Sequence, residues 1–362
     1  MPAPINEQVV VIIGASSGLG RQTAYDLAEK GATVVVAARR EAVLQELAHE
    51  LLHRGAKDAL AVATDVADND QVQNLIRTTL ERFSRLDTLI VSPGIAIFAP
   101  VEQTTLQEFE RMFDVMLMGY VRAAKAVLPV FRRQGFGTLI NVASALGMGA
   151  VPLQGAYTTT KHGVVGFTQT LQMELYGSGI DVCLFLPGSM ATPLPSIHSR
   201  SKTGRVPKAV PPVFHPKLVS RVLVRCVEHP RPTIKPDPQS KLAITIGQIA
   251  PKAATAFLAR FGERLQMTDE PEPSFGHDNV DEPMDEGAGV LGQLPPTSEK
   301  LIEWCRRHPL KLLAGGIAVG AATYVAGRGL ARIGSRVADV ANANTKGRIT
   351  SMLSSKRRLR AV

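Results

Sequence analysis

The chain has 362 residues, 45% of them hydrophobic and 20% charged, which suffices for one large domain with a full core plus appendages. Its three cysteines, Cys183, Cys226 and Cys305, are far apart in sequence and form no CxxC pair; this argues against a disulfide scaffold or a metal site and fits a reducing compartment. The formal charge of +9 is uneven: residues 1–262 carry 27 basic and 20 acidic side chains, residues 263–296 carry 1 and 9, and residues 297–362 carry 13 and 3. The basic excess therefore lies largely in a tail that lacks a nucleic-acid-binding motif or stacking aromatics, so no nucleic-acid partner is expected.

The N-terminal "MPAPINEQVVVIIGAS" has no basic stretch before its apolar run and contains Glu7, so a secretory signal is not expected and the body is placed in the cytoplasm. Short apolar runs then follow at 8–13, 33–37, 59–63, 86–92, 138–143 and 181–186, separated by segments such as "EAVLQELAHELLHR" and "QVQNLIRTTLERF" with apolar residues at helical spacing. Continuous apolar strands joined by helices predict a doubly wound α/β fold, a parallel sheet covered on both faces.

Directly after the first strand, "GASSGLG" sets Gly14, Gly18 and Gly20 in a GxxxGxG turn with Ser16, Ser17 and Leu19, leading into a helix. Glycines there let the backbone approach a pyrophosphate, and the helix N-terminus offers free N–H groups, so the turn reads as a dinucleotide site. Where an acidic residue at the end of the second strand would bind the ribose 2′-hydroxyl, the chain reads "VVVAARR". Ala38 leaves no carboxylate, and Arg39 and Arg40 can grip a 2′-phosphate, which favours NADP(H) over NAD(H).

"AYTTTKHGVVGF" puts Tyr157 and Lys161 one helical turn apart behind three threonines. The pair is either an ordinary surface neighbourhood or an ammonium that stabilises a phenolate and makes the tyrosine a proton donor near neutral pH. Taken together, the glycine turn, "TDV" at 64–66, Ser144 thirteen residues before Tyr157, the YxxxK helix and "PGSMAT" at 187–192 resemble the short-chain dehydrogenase/reductase family over roughly residues 8–262. The resemblance implies a single Rossmann-type domain, here 1–262, that oxidises alcohols or reduces carbonyls with a nicotinamide cofactor. It implies that Tyr157 is the acid or base, that Lys161 favours its anion and binds the nicotinamide ribose, and that Ser144 positions the substrate oxygen. It also implies cofactor contacts from Asp65 and Val66 at the adenine, Gly94 beside the fourth strand, and Pro187, Gly188 and Thr192 beside the carboxamide.

Two positions depart from the family pattern. The asparagine-rich turn after strand four is "VSPG" here, keeping only Gly94, and the family's relay asparagine falls on Met116 in "DVMLMG". A thioether is a weak acceptor and cannot hold a relay water as an amide does. A second reading follows from this: an NADP(H)-binding, low-turnover sensor or scaffold rather than an active reductase.

The proline-bearing stretch within 188–216 is expected to form the substrate lid, with Met190, Leu194, Ile197 and Val206 as an apolar pocket wall. Arg200, Lys202, Arg205 and Lys208 either steer an anionic substrate or are simply solvated. His162 is expected to be structural. The substrate is expected to be a small carbonyl or alcohol of apolar or acyl-like character, and a homo-oligomer is left open. Residues 263–296, acidic and rich in proline and glycine, are expected to be a linker or a surface-wrapping extension. Residues 297–362 are expected to be a basic helical tail with an apolar segment at 310–327, either meeting an anionic membrane surface or serving as a docking or self-associating helix.

Overall fold

The computed structural model describes residues 2–271 and 278–292. The elements run β1 (Val9–Ile13), α1 (Gly18–Ala28), β2 (Thr33–Ala38), α2 (Glu41–His53), β3 (Asp58–Ala63), α3 (Asn69–Phe83), β4 (Thr88–Val91), β5 (Ile97–Phe98), α4 (Leu106–Phe113), α5 (Gly119–Gln134) and β6 (Gly137–Val142). They continue as α6 (Gly155–Glu174), β7 (Ile180–Phe185), β8 (Arg200–Ser201), β9 (Arg205–Pro207), α7 (Pro216–Glu228), β10 (Thr233–Ile234), α8 (Pro238–Ile249), α9 (Pro251–Gln266) and β11 (Met267–Pro271). The main sheet has seven strands in the order β10-β7-β6-β4-β1-β2-β3, each pair parallel. This is the doubly wound α/β fold expected from the alternation of apolar runs and helical segments.

β1 and β4 are buried at every residue, because both faces of the parallel sheet are covered by helices. Two apolar clusters follow: one between the sheet and the α3, α5 and α6 side, the other between the sheet and the α1, α2 and α7 side. Helix ends are fixed locally. Asp68 caps α3 by accepting from the Asp70 and Gln71 N–H groups, and Thr105 and Glu108 form a reciprocal capping box on α4. α6 tolerates its threonines because their hydroxyls bond within the helix, Thr159 to the Gly155 carbonyl and Thr160 to that of Tyr157, each at 2.8 Å.

The chain moves outward from β1 to β3, then returns to place β4 on the other side of β1. The carboxyl ends of β1 and β4 therefore meet at a topological switch point, where open α/β sheets place their ligands. Gly14 has φ +87°, and a Cβ there would collide with the Ser92 carbonyl of the turn after β4. Only glycine lets the two turns close together.

The expected end of the body near 262 is corrected, since α9 runs through it to Gln266 and β11 pairs antiparallel with β9. The acidic stretch lies against the body as well: Val280 is fully buried in the first apolar cluster. Apolar contact and salt bridges outweigh its Pro/Gly-rich composition, so residues 278–292 are a surface-wrapping extension and not a linker. Among the described residues no single helix is long and apolar enough to cross a membrane; α8 and α9 together pass on length and composition but meet at a bend of 119°. The basic tail at 297–362 lies outside the described residues.

Candidate active site

A cavity of about 880 Å³ opens at the switch point and joins the glycine turn to the residues after β6. Ser144 sits at the carboxyl end of β6, held because the Ala143 and Ala145 N–H groups donate to the carbonyls of Phe185 and Pro187, each at 2.8 Å. Its hydroxyl accepts from the Leu146 N–H at 3.1 Å. Tyr157 and Lys161 project from α6 into the same cavity, so Ser144, Tyr157 and Lys161 converge although thirteen residues and a loop separate the first two.

Burial governs the titration of both α6 groups. Desolvation pushes the Tyr157 phenol up to about 12, although a hydrogen bond with Ser144 pulls the other way. Desolvation also pulls Lys161 down to about 7. Its Nζ stands 5.7 Å from the centre of the Tyr157 ring and donates instead to the Tyr120 hydroxyl and the Val142 carbonyl, each at 3.1 Å.

Tyr120 was missed in the sequence. It is fully buried, donates to the Val142 carbonyl at 2.6 Å, and its own phenol is raised by burial. The signal was its place four residues after Met116, one turn along the same helical path. That path contains a π-helical turn at Asp114–Met118, and Met116 is fully buried there, its Sδ accepting from the Ile95 N–H at 3.3 Å. Ile95 directly follows "VSPG", so the two departures from the family pattern touch each other, and the partner that Lys161 finds on this helix is Tyr120. Tyr120→Phe should lower kcat by about three- to tenfold and move the alkaline limb of the pH profile, set by loss of the Lys161 proton, to lower pH, because an acceptor of the ammonium is lost. An unchanged profile would reduce Tyr120 to packing.

At the other end of the cavity, Gly18 has φ +55° and a Cβ on Gly20 would collide with the Gly14 carbonyl, so the turn hugs the start of α1. Ser16, Ser17, Leu19, Arg39, Arg40, Asp65, Val66 and Gly94 line the same space. A cradle this close to a helix N-terminus, with two guanidinium groups at its rim, fits a dinucleotide. Arg40 donates to the Ser16 hydroxyl at 2.8 Å. Burial lowers both arginines from their ordinary value. Asp65 holds the Ala67 N–H at 2.9 Å and lies 3.7 Å from Arg111, while Val66 packs against Gly119.

Pro187, Gly188 and Thr192 also line the cavity. Their loop is pinned by the start of α8: Gly188 N–H donates to Asp237 at 2.8 Å and Ser189 N–H to Gln239 at 2.6 Å. This link between the lid and α8 was not legible in the sequence.

Met190 and Leu194 line the cavity, as expected of the lid, whereas Ile197 and Val206 do not. The inward faces of α8 and α9 complete the wall with Ile244 and Leu258. The steering role is corrected for Arg200 and Lys202. Arg200 pairs with Glu108, Asp278 and Asp281, and Lys202 pairs with Glu108, so these charges are neutralised within the fold. Lys208 does reach the cavity. His162 is exposed, with its Nδ1 2.9 Å from the Thr158 carbonyl oxygen. Cys183 and Cys226, distant in sequence, share a hydrogen bond inside the second apolar cluster as free buried thiols. Among the described residues no His, Cys, Asp and Glu cluster could hold a metal ion.

The short chain dehydrogenase family model matches residues 8–202. The chain is 31% identical over 271 residues to the uncharacterized oxidoreductase YxnA of Bacillus subtilis, covering 74% of this chain and 76% of that protein. It is 36% identical over 189 residues to a 3-oxoacyl-[acyl-carrier-protein] reductase of Synechocystis sp., covering 52% of this chain and 76% of that protein. The X-ray structure of an alcohol dehydrogenase from the archaeon Thermococcus sibiricus, complexed with 5-hydroxy-NADP, superposes with a TM-score of 0.55 at 25% identity, over 63% of this chain and 95% of that one. With its parallel sheet, its glycine turn at the switch point and its Ser144, Tyr157 and Lys161 gathered in one cavity, the chain belongs to the short-chain dehydrogenase family of oxidoreductases.

Proposed function

We propose that the protein transfers hydride between NADP(H) and an apolar carbonyl or alcohol substrate. One observation carries this reading: a single cavity joins the glycine turn and Arg39 at one end to Ser144, Tyr157 and Lys161 at the other. The nicotinamide supplies or accepts the hydride when bound. Tyr157 gives the substrate oxygen a proton in reduction and takes one back in oxidation, and Ser144 holds that oxygen by its hydroxyl. A phenol at about 12 is protonated across the neutral range, which suits the reducing direction. Lys161, fixed by Tyr120 and Val142, keeps its Nζ close beneath the Tyr157 ring and supplies positive charge below about pH 7.

The substrate half of the cavity is walled by Phe98, Met148, Val151, Leu194, Ile244 and Leu258, which favours a carbonyl on an apolar or acyl-like body. The similarity to a reductase of 3-oxoacyl groups agrees with this class. Cofactor choice rests on Arg39 and Arg40 and on the lack of an acid at Ala38, and the 5-hydroxy-NADP bound to the archaeal relative supports it. A scan of NADPH oxidation against apolar ketones and acyl-thioesters tests the reading; NADPH binding without turnover would favour the sensor alternative that Met116 raises.

Arg39→Ala should weaken NADPH by roughly 10- to 100-fold, the worth of a charge-assisted pair to the 2′-phosphate. NADH, which lacks that phosphate, should bind as before or slightly tighter. Equal losses for both cofactors, read by fluorescence titration, would leave Arg39 a general electrostatic role.

A further inference from the structure

Residues 278–292 carry five acids and no base, and they lie on the groups a dinucleotide would use. Their anchor is Arg200, whose guanidinium holds Asp278 at 2.8 Å and Asp281 at 2.7 Å. Val280 is buried beside that anchor, and its carbonyl takes the Arg111 Nε–H at 3.0 Å. From there the backbone passes over the cofactor end of the cavity. Arg39 donates to the Asn279 carbonyl at 2.7 Å, to its side-chain oxygen at 2.6 Å and to the Asp281 carbonyl at 2.9 Å. Arg40 donates to the Met284 carbonyl at 2.6 Å, Arg21 to that of Ala288, and the Gly18 N–H to that of Gly289 at 3.0 Å. Two glycines permit the close passage: a Cβ at Gly287 would come within 2.7 Å of the His198 ring, and one at Gly292 would collide with the Thr192 carbonyl.

We infer that residues 278–292 form an internal strap that competes with the dinucleotide for Arg39, Arg40 and the Gly18 N–H, and so lowers the affinity for either cofactor. This rests on the cofactor reading given above. The strap offers neutral carbonyl and amide oxygens to Arg39. A 2′-phosphate is a stronger, charged acceptor than these oxygens, but the backbone over Arg40 and Gly18 has to move for either dinucleotide. Asp278 and Asp281 are paired with Arg200, so the strap's remaining acids, Glu282, Asp285 and Glu286, add repulsion against either pyrophosphate. Both cofactors then bind the fraction of chains whose strap is open, and both affinities fall by that same fraction.

The test compares the full chain with Asp278→Asn/Asp281→Asn, which loosens the Arg200 anchor, and separately with Gly292→Val, which lifts the far end. Dissociation constants for NADPH and NADH are read by fluorescence, and backbone hydrogen exchange of 278–292 reports release of the strap. Both variants should bind NADPH and NADH tighter by a similar factor, about tenfold. In the native chain, NADPH should raise exchange at 278–292. Unchanged or weaker binding in variants whose strap exchanges freely overturns the strap and leaves the reductase reading standing. If neither dinucleotide binds any of the three proteins, the cofactor reading itself falls and the strap with it.

Discussion

Tyr157→Phe is expected to lower carbonyl reduction by roughly 10²- to 10⁴-fold, the range for loss of a positioned general acid. The change deletes the hydroxyl that faces Ser144 and keeps the ring, which packs against the first apolar cluster and helps enclose the cavity. NADPH affinity should therefore stay within about twofold, because the glycine turn and Arg39 lie at the other end. Stability should hold or rise slightly, since a partly buried hydroxyl is removed. The measurement is a steady-state assay beside a cofactor titration. A variant that turns over at the native rate would remove Tyr157 from the proton transfer and throw the chemistry onto another group.

Lys161→Met should abolish turnover and stabilise the fold. Lys161 is 3% exposed and hydrogen-bonded to two oxygens, yet burial pulls it from an ordinary 10.5 down to about 7. The sign follows from proton binding. Between about 7 and 10.5 the unfolded chain holds a proton that the folded chain has lost, so stability rises with pH across that window. The cost of burying the ammonium is thus fully present below about pH 7 and has vanished above about 10.5. A methionine of similar length carries no such penalty. After allowance for two lost hydrogen bonds the gain should be about 2–3 kcal/mol at pH 6 and should shrink steadily towards pH 10. Denaturant melts of both proteins at several pH values measure it. A variant less stable than the native chain at pH 6 would show that the bonds to Tyr120 and Val142 outweigh desolvation.

Such a gain would mark Lys161 as a residue held at the expense of stability, as expected where a buried charge serves chemistry. Met116 is the contrasting case. Its thioether fills a fully buried gap and takes the Ile95 N–H, so an asparagine there would have to satisfy a whole amide inside an apolar cluster.

The sequence by itself determined the sheet and the candidate site. Strand runs such as "QVVVII" and "TLINVA" are short, continuous and separated by helical periodicity, and such local patterns survive into β1 and β6 because both faces of those strands are buried. Gly14, Gly18 and Gly20 were legible for a similar reason: a tight turn at a helix start restricts which residues can stand there, and the restriction is visible in the chain. Tyr157 and Lys161 were legible as a pair one helical turn apart, and Ser144 was named with them through the resemblance to the family. Tertiary structure alone decided what surrounds them. The partner of Lys161 is Tyr120, 41 residues away, and the acceptors of Arg39 lie about 240 residues away. An acidic, proline-rich segment reads as a linker because composition reports only what a stretch can bury by itself. Arg200, the two guanidinium groups at the end of β2 and the apolar cluster that takes in Val280 supply the charge and the burial that hold it, and those belong to other parts of the chain.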